Sequence, residues 1–220
     1  MNEKIKNTGL TLTMTDQGLT LTDGALNLTA DFSQMARRLT AGNLQKEMLI
    51  KAARIKGLDR QQTILDATAG LGEDSILLAA AGFRVKLYEY DSVIAALLSD
   101  ALKRAATDSS LASIVSRMEL FNQDSIEAMK DLKEPVDAVL LDPMFPARNK
   151  SALIKKKFQL LQRLESPCSN ETDLLDAAFA ACPRRIVIKR PLKGPYLADK
   201  KPDYSLQGKA IRYDCFSLAR

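Results

Sequence analysis

Thr63-Ile64-Leu65-Asp66-Ala67-Thr68-Ala69-Gly70-Leu71-Gly72-Glu73-Asp74 decides the fold of this 220-residue chain. An apolar run, residues 63–68, ends in a glycine-containing loop, and helical spacing follows over residues 74–81. A strand, a tight loop and a helix in that order open a β-α unit. The pattern then repeats, with strands expected at 84–89, 117–122, 136–141 and 184–189. Helices are expected at 92–106, 125–132, 150–164 and 171–181. The run 136–141 is nearly all apolar, as a strand covered on both faces requires. Residues 204–207 and 210–218 read as a closing antiparallel pair around Gly208. Repeated β-α units with right-handed crossovers predict an α/β architecture, a parallel sheet with helices on both faces.

Upstream, residues 9–23 alternate apolar and polar around the turn Asp16-Gln17-Gly18, the pattern of a β-hairpin. Residues 31–56 are basic, with Leu44, Met48, Leu49 and Ala52 at helical spacing. The expected division is therefore an N-terminal hairpin and basic helical extension, 1–56, and a nucleotide-binding-type domain, 57–220. The Pro- and Lys-rich stretch 191–202 reads as the most mobile loop.

Composition removes whole chemistries. The chain has no histidine, so imidazole acid-base work and histidine-containing triads are excluded. Three scattered cysteines make neither a zinc site nor a disulfide frame. No long apolar run and no signal-peptide core are present, which predicts a cytoplasmic protein without membrane or metal. The net charge of +5 suits an anionic partner such as RNA.

In an open parallel sheet, ligands bind beyond the carboxyl ends of the strands. Gly70 and Gly72 allow a close backbone approach there. The dinucleotide pattern G-x-G-x-x-G fails, because Ser75 holds its last position. Glu73 and Asp74 at the helix start disfavour a phosphate and favour a cationic ligand. S-adenosylmethionine carries a sulfonium and an ammonium and no phosphate. Glu89 closes the second strand, where a carboxylate can accept both ribose hydroxyls. Asp124-Ser125 either meets an adenine amino group or caps the next helix.

The fourth strand ends in Asp142-Pro143-Met144-Phe145-Pro146. The prolines hold Asp142 and Pro143 rigidly at the sheet edge. The Asp142 carboxylate and the Pro143 carbonyl are acceptors suited to the two hydrogens of a planar amino group, and Phe145 is suited to stacking on a base. Alignment and electrostatics would then supply the rate for an already activated methyl donor.

The stretches 66–74, 142–146, Lys150-Ser151-Ala152-Leu153 and Val187-Ile188-Lys189-Arg190-Pro191 resemble the bacterial 16S ribosomal RNA guanine-N2 methyltransferase J family. The likeness runs from about residue 31 to 216. It implies a Rossmann-like class I methyltransferase fold with a mostly parallel seven-stranded sheet. It also implies methyl transfer from S-adenosylmethionine to N2 of a guanosine in small-subunit ribosomal RNA, free or in the assembled subunit. Matched by position, Gly70, Gly72, Asp74, Glu89, Ser125 and Asp142 fall on the cofactor side, and Asp66, Glu73, Tyr90 and Asp124 are expected to line the cofactor beside them. Asp142, Pro143 and Phe145 fall on the target base. Glu73 and Tyr90 depart from the family, which usually has a basic residue at these positions. Arg37, Arg38, Lys150, Lys155, Lys156, Lys189 and Arg190 are the expected RNA contacts. Other readings of the same motifs are an amino-methyltransferase for adenine, DNA or a protein glutamine, and a non-catalytic RNA-binding assembly factor.

Overall fold

The computed structural model describes residues 2–6, 8–143, 156–161, 163–164 and 170–219. The chain opens with Asn2–Ile5 (β1), Leu10–Thr15 (β2), Gly18–Thr22 (β3) and Asn27–Thr29 (β4). They form one antiparallel sheet in sequence order, so the expected hairpin, β2–β3, is the centre of four strands. Gly18 turns β2 into β3 at φ +111°, and any side chain there would run into Arg104 and Asp100. The basic stretch that follows is not one continuous helix. It is a 3-10 turn at Phe32–Met35 and two short helices, Ala41–Leu44 (α1) and Met48–Ala53 (α2). Side chains break the run: Asp31 caps the 3-10 turn, and Thr40 and Asn43 both donate to the Arg37 carbonyl.

The second sheet contains Thr63–Asp66 (β5), Arg84–Tyr88 (β6), Met118–Phe121 (β7), Ala138–Leu141 (β8), Arg185–Pro191 (β9), Tyr204–Gln207 (β10) and Ile211–Ser217 (β11). Its order is β10-β11-β9-β8-β5-β6-β7, parallel from β9 to β7, with β10 and β11 antiparallel. The helices are Glu73–Ala80 (α3), Ser92–Thr107 (α4), Ala112–Val115 (α5), Ser125–Lys130 (α6), Lys156–Leu161 (α7) and Glu171–Ala180 (α8). From β5 the chain builds outward to β6 and β7, then returns to β8 on the other side. The strand order thus reverses between β5 and β8, the place where open α/β sheets bind ligands.

The strands alternate between two cores, as a period of two requires. Ile64, Leu140 and Val187 join the core that contains α3 and α4, while Leu65, Val139 and Ile188 join the one with α6 and α8. The N-terminal sheet adds Leu10, Leu21 and Leu28 to the first core, and Phe32 joins them, so a single apolar cluster spans the expected boundary at residues 56 and 57. Polar contacts fasten this sheet to α4. Asp100 accepts from the Leu19 amide at 3.0 Å and from Arg104 at 2.8 Å, and Arg104 also donates to the Ala30 carbonyl. The stretch expected to be most mobile is tied down by Arg212. Its guanidinium donates to the carbonyls of Pro191, Leu192 and Gly194 at 2.9–3.0 Å. No helix among the described residues is long and apolar enough to cross a membrane.

Behind the sheet, Asp137 clamps the start of β5 to β8. It accepts two bonds from Arg60 at 2.6 and 2.8 Å and one from the Thr63 amide at 2.8 Å. Burial works to raise the Asp137 pKa, but these donors outweigh it and hold the group below the usual carboxylate range. A depressed folded pKa contributes stability above the unfolded value and loses it as pH falls through the folded one. Asp137→Ala should therefore cost about 2 kcal/mol at pH 7, with the deficit shrinking as pH drops below about 4, measured by urea unfolding across pH.

Candidate active site

A cleft of about 740 Å³ lies along the carboxyl ends of the parallel strands, a size suited to one small ligand. The loop after β5 forms its floor. Asp66 is buried and accepts from Ser75 Oγ at 2.6 Å and from the Thr68 amide at 3.2 Å. Desolvation by burial pushes its carboxyl up to about 7 despite these bonds. Gly70 lines the cleft at φ +54°, and its missing side chain leaves open space. Gly72 begins α3 at φ +76°, and a Cβ there would stand 2.8 Å from Leu98 and 3.2 Å from Phe32. The first glycine thus gives a ligand room, while the second lets the N-terminal extension and α4 close against the loop.

Glu89, just beyond β6, is buried and points back at the loop. One carboxylate oxygen accepts from the Gly70 amide at 2.9 Å and the other from the Asp91 amide at 2.8 Å. Burial raises its pKa, and the two amides oppose the rise. Tyr90 beside it is 78% exposed and stands at the rim. Asn122 donates to the carbonyls of Glu89 and Tyr90 at 2.8 and 3.2 Å, fixing that corner. Asp124 caps α6 through the Ile126 amide at 2.8 Å, and it and Ser125 both line the cleft.

Asp142 stands at the reversal point, directly after β8. Its amide donates to Thr68 Oγ1 at 2.7 Å, which ties the fourth strand end to the first loop. Its side chain is 38% exposed, and Oδ2 meets Lys189 Nζ at 2.8 Å. Lys189 also reaches Asp74 Oδ2 at 2.6 Å. Burial would lower the Lys189 pKa, but the two carboxylates outweigh it and keep the ammonium charged. Burial raises Asp142, and Lys189 opposes that rise. Pro143 lines the cleft next to Asp142. Met144 and Phe145 lie outside the described residues.

Every proposed cofactor residue except Gly72 therefore lines one cleft. The expected RNA contacts fare differently. Arg37 is exposed beside the cleft-lining Arg38, whose guanidinium forms two bonds to Glu47 at 2.9 and 3.0 Å. Lys150 and Lys155 lie outside the described residues, and only the backbone of Lys156 is described, in α7. Lys189 is inside the cleft between carboxylates, not on a phosphate-facing surface. Arg190 is 1% exposed, donates to the Pro195 carbonyl at 2.9 Å and pairs with Glu171 at 3.5 Å, so it offers no surface to a phosphate. The sequence reading missed Thr68, Asp91, Asn122 and Tyr213. Thr68, Asp91 and Asn122 had a signal in their place at or beside strand ends, while Tyr213 had none.

Among the described residues, seven carboxyl groups line the cleft: Asp66, Glu73, Asp74, Glu89, Asp91, Asp124 and Asp142. Against them, among the same described residues, stand two cationic side chains, Arg38 and Lys189, each paired with an acid. Such a lining suits a cationic nucleoside without phosphates, and it fits S-adenosylmethionine in charge and size. No group of metal-ligating side chains is found among the described residues. Because Asp66 has a raised folded pKa, the unfolded chain releases its proton first, and stability falls as pH rises from about 4 to about 7. Asp66→Asn should flatten that slope, so its stability relative to the parent rises over this interval and levels off above pH 7, by up to about 4 kcal/mol in urea titrations.

Known proteins share both the sequence and the fold. The family described as "Putative SAM-dependent methyltransferase" matches residues 2–218. Ribosomal RNA small subunit methyltransferase J of Stutzerimonas stutzeri (strain A1501) is 43% identical over 182 residues, covering 82% of this chain and 70% of that protein. The protein of the same name from Marinobacter nauticus is 36% identical over 223 residues, 98% of this chain and 80% of its own length. A crystal structure of a SAM-dependent methyltransferase from Neisseria gonorrhoeae superposes with a TM-score of 0.76 at 29% identity, covering 98% of this chain and 85% of that one. The chain belongs to the S-adenosylmethionine-dependent methyltransferases of the ribosomal RNA small subunit methyltransferase J family.

Proposed function

We propose that the protein methylates the exocyclic N2 of a guanosine in small-subunit ribosomal RNA, acting in the cytoplasm on the RNA or the assembled subunit. The observation that carries this reading is Asp142-Pro143 pinned at the sheet reversal, inside an acidic cleft. The relatives' shared name supports the RNA class, and the likeness of the motifs supports guanine N2.

S-adenosylmethionine supplies a methyl group made electrophilic by its sulfonium. Glu89 is assigned to the ribose hydroxyls, a reading supported by the lone pairs its two oxygens keep beyond those used by the Gly70 and Asp91 amides. Gly70 admits the ligand close to the backbone, beside the buried Asp66, with Tyr90, Asp124 and Ser125 at the nucleoside end and Glu73 and Asp74 supplying negative potential. Gly72 acts by setting the loop.

The guanine amino group is a weak, planar nucleophile. The Asp142 carboxylate and the Pro143 carbonyl accept its two hydrogens, and Phe145 is assigned to the base face. With the donor bound, the new nitrogen–carbon bond would form at the expense of the donor's sulfur–carbon bond, whose electron pair would stay on sulfur. The surplus proton on nitrogen leaves toward Asp142 and solvent. Arg37 and Arg38, with Lys150, Lys155 and Lys156, are assigned to RNA phosphates.

The test is nucleoside analysis of small subunits from cells lacking the protein, after incubation with enzyme and labelled donor. N2-methylguanosine is expected, and a methylated adenosine or a labelled protein would overturn the assignment. Asp142→Ala should keep the fold and lose at least about 100-fold in rate. In RNA binding, replacing Arg37 and Arg38 by alanine should weaken affinity and reduce the slope of log K against log salt by about 1 per arginine.

A further inference from the structure

Lys189 and Tyr213 are cross-strand partners on β9 and β11, so both project to the same face. That face carries them into the cleft. There the Lys189 ammonium bridges Asp74 at the start of α3 and Asp142 at the end of β8, at 2.6 and 2.8 Å. Three elements distant in sequence thus converge on one cation. Among the described residues it meets Oδ2 of Asp142 and leaves Oδ1 without a partner.

We propose that Lys189 is the positioning residue of the transfer, holding Asp142 in one orientation and ionised so that its free oxygen accepts the target amino group. This rests on the function proposed above. The groups facing the pair are Asp74 from α3, Asp66 from β5 and Tyr213 from β11; Arg38 from the extension acts on Asp74 and Tyr213, and Arg190, on the opposite face of β9, acts on Asp142 at longer range. Asp66, Asp74 and Asp142 crowd negative charge into a partly dry site, which favours a proton on one of them. A protonated Asp142 would present a hydroxyl where the substrate needs an acceptor. Lys189 offsets that repulsion and occupies the oxygen the substrate does not use. A phosphate contact is a poor account of the same residue, since its ammonium is already held by two carboxylates and its side chain is only 24% exposed.

The full-length protein with Lys189→Met, Lys189→Arg and Asp74→Asn tests the idea, by single-turnover methylation of small subunits across pH. The carboxyl carbon of Asp142, assigned against Asp142→Asn, is titrated in parallel by NMR in the ligand-free protein. Activity falls at low pH as Asp142 gains its proton, so removing the cation should move that limb upward. Lys189→Met is expected to lower the maximal rate at least about tenfold, leave the KM for RNA within about twofold, and raise both the acid limb and the Asp142 titration by about one pH unit. Lys189→Arg should restore the limb. Asp74→Asn removes a neighbouring negative charge, so limb and titration should move to lower pH. This variant keeps the test decisive if Lys189→Met fails to fold.

An unmoved Asp142 titration in Lys189→Met, or a higher KM for RNA with an unchanged rate and a shallower salt slope, would overturn the proposal. So would an Asp74→Asn limb that stays or rises. Full turnover by Asp142→Ala would instead sink the functional reading beneath it, so the two failures are separable.

Discussion

The hydrogen bond from the Asp142 amide to Thr68 Oγ1 joins the two strand ends at which the sheet changes direction. β5 and β8 are neighbours, yet the chain leaves β5 toward β6 and arrives at β8 from β7. A crevice must open between connections that part in this way. The bond sets how far it opens at its base, and it places a strand-end carboxylate and a glycine loop within reach of one ligand. Gly72 adds the complementary constraint from behind. With no side chain it lets Phe32 and Leu98 close on the loop, so the N-terminal extension helps to hold the site it adjoins.

Much of this was legible because it depends on local grammar. Strands that are apolar on both faces and helices with regular spacing give the β-α order, and the residues at strand ends follow from it. Asp66, Glu89, Asp124 and Asp142 are all at such ends, and all line the cleft. What failed depended on strand length and on long-range pairing. The last parallel strand was expected to stop at residue 189, but it continues to Pro191. That extension puts Arg190 on the face of Ile186 and Ile188, toward the second core and Glu171. Lys189 shares the opposite face with Val187. Two adjacent cations thus have opposite fates from one rule of alternation. Tyr213 was invisible for a related reason, since its place is set by antiparallel register with Lys189. In the N-terminal region, β1 and β4 are short strands stabilised by the sheet they extend, which local pattern alone does not reveal.

The charge distribution links the fold to the proposed reaction. The chain carries a net charge of +5, yet among the described residues its cleft is lined by seven carboxyl groups and two cations already paired with acids. Among the described residues, the cleft offers no unpaired cation where a phosphate-recognising enzyme would put one. A polyanion approaching such a cleft is attracted by the molecule as a whole and repelled by its interior, over distances near the Debye length of about 8 Å. The uncharged part of a nucleotide meets no such penalty. An RNA substrate is therefore favoured with its backbone outside and only its base within, the arrangement that base extrusion produces. The same interior potential attracts a sulfonium. One acidic lining would then admit the methyl donor, exclude the phosphates and leave Asp142 beside the only part of the RNA able to enter.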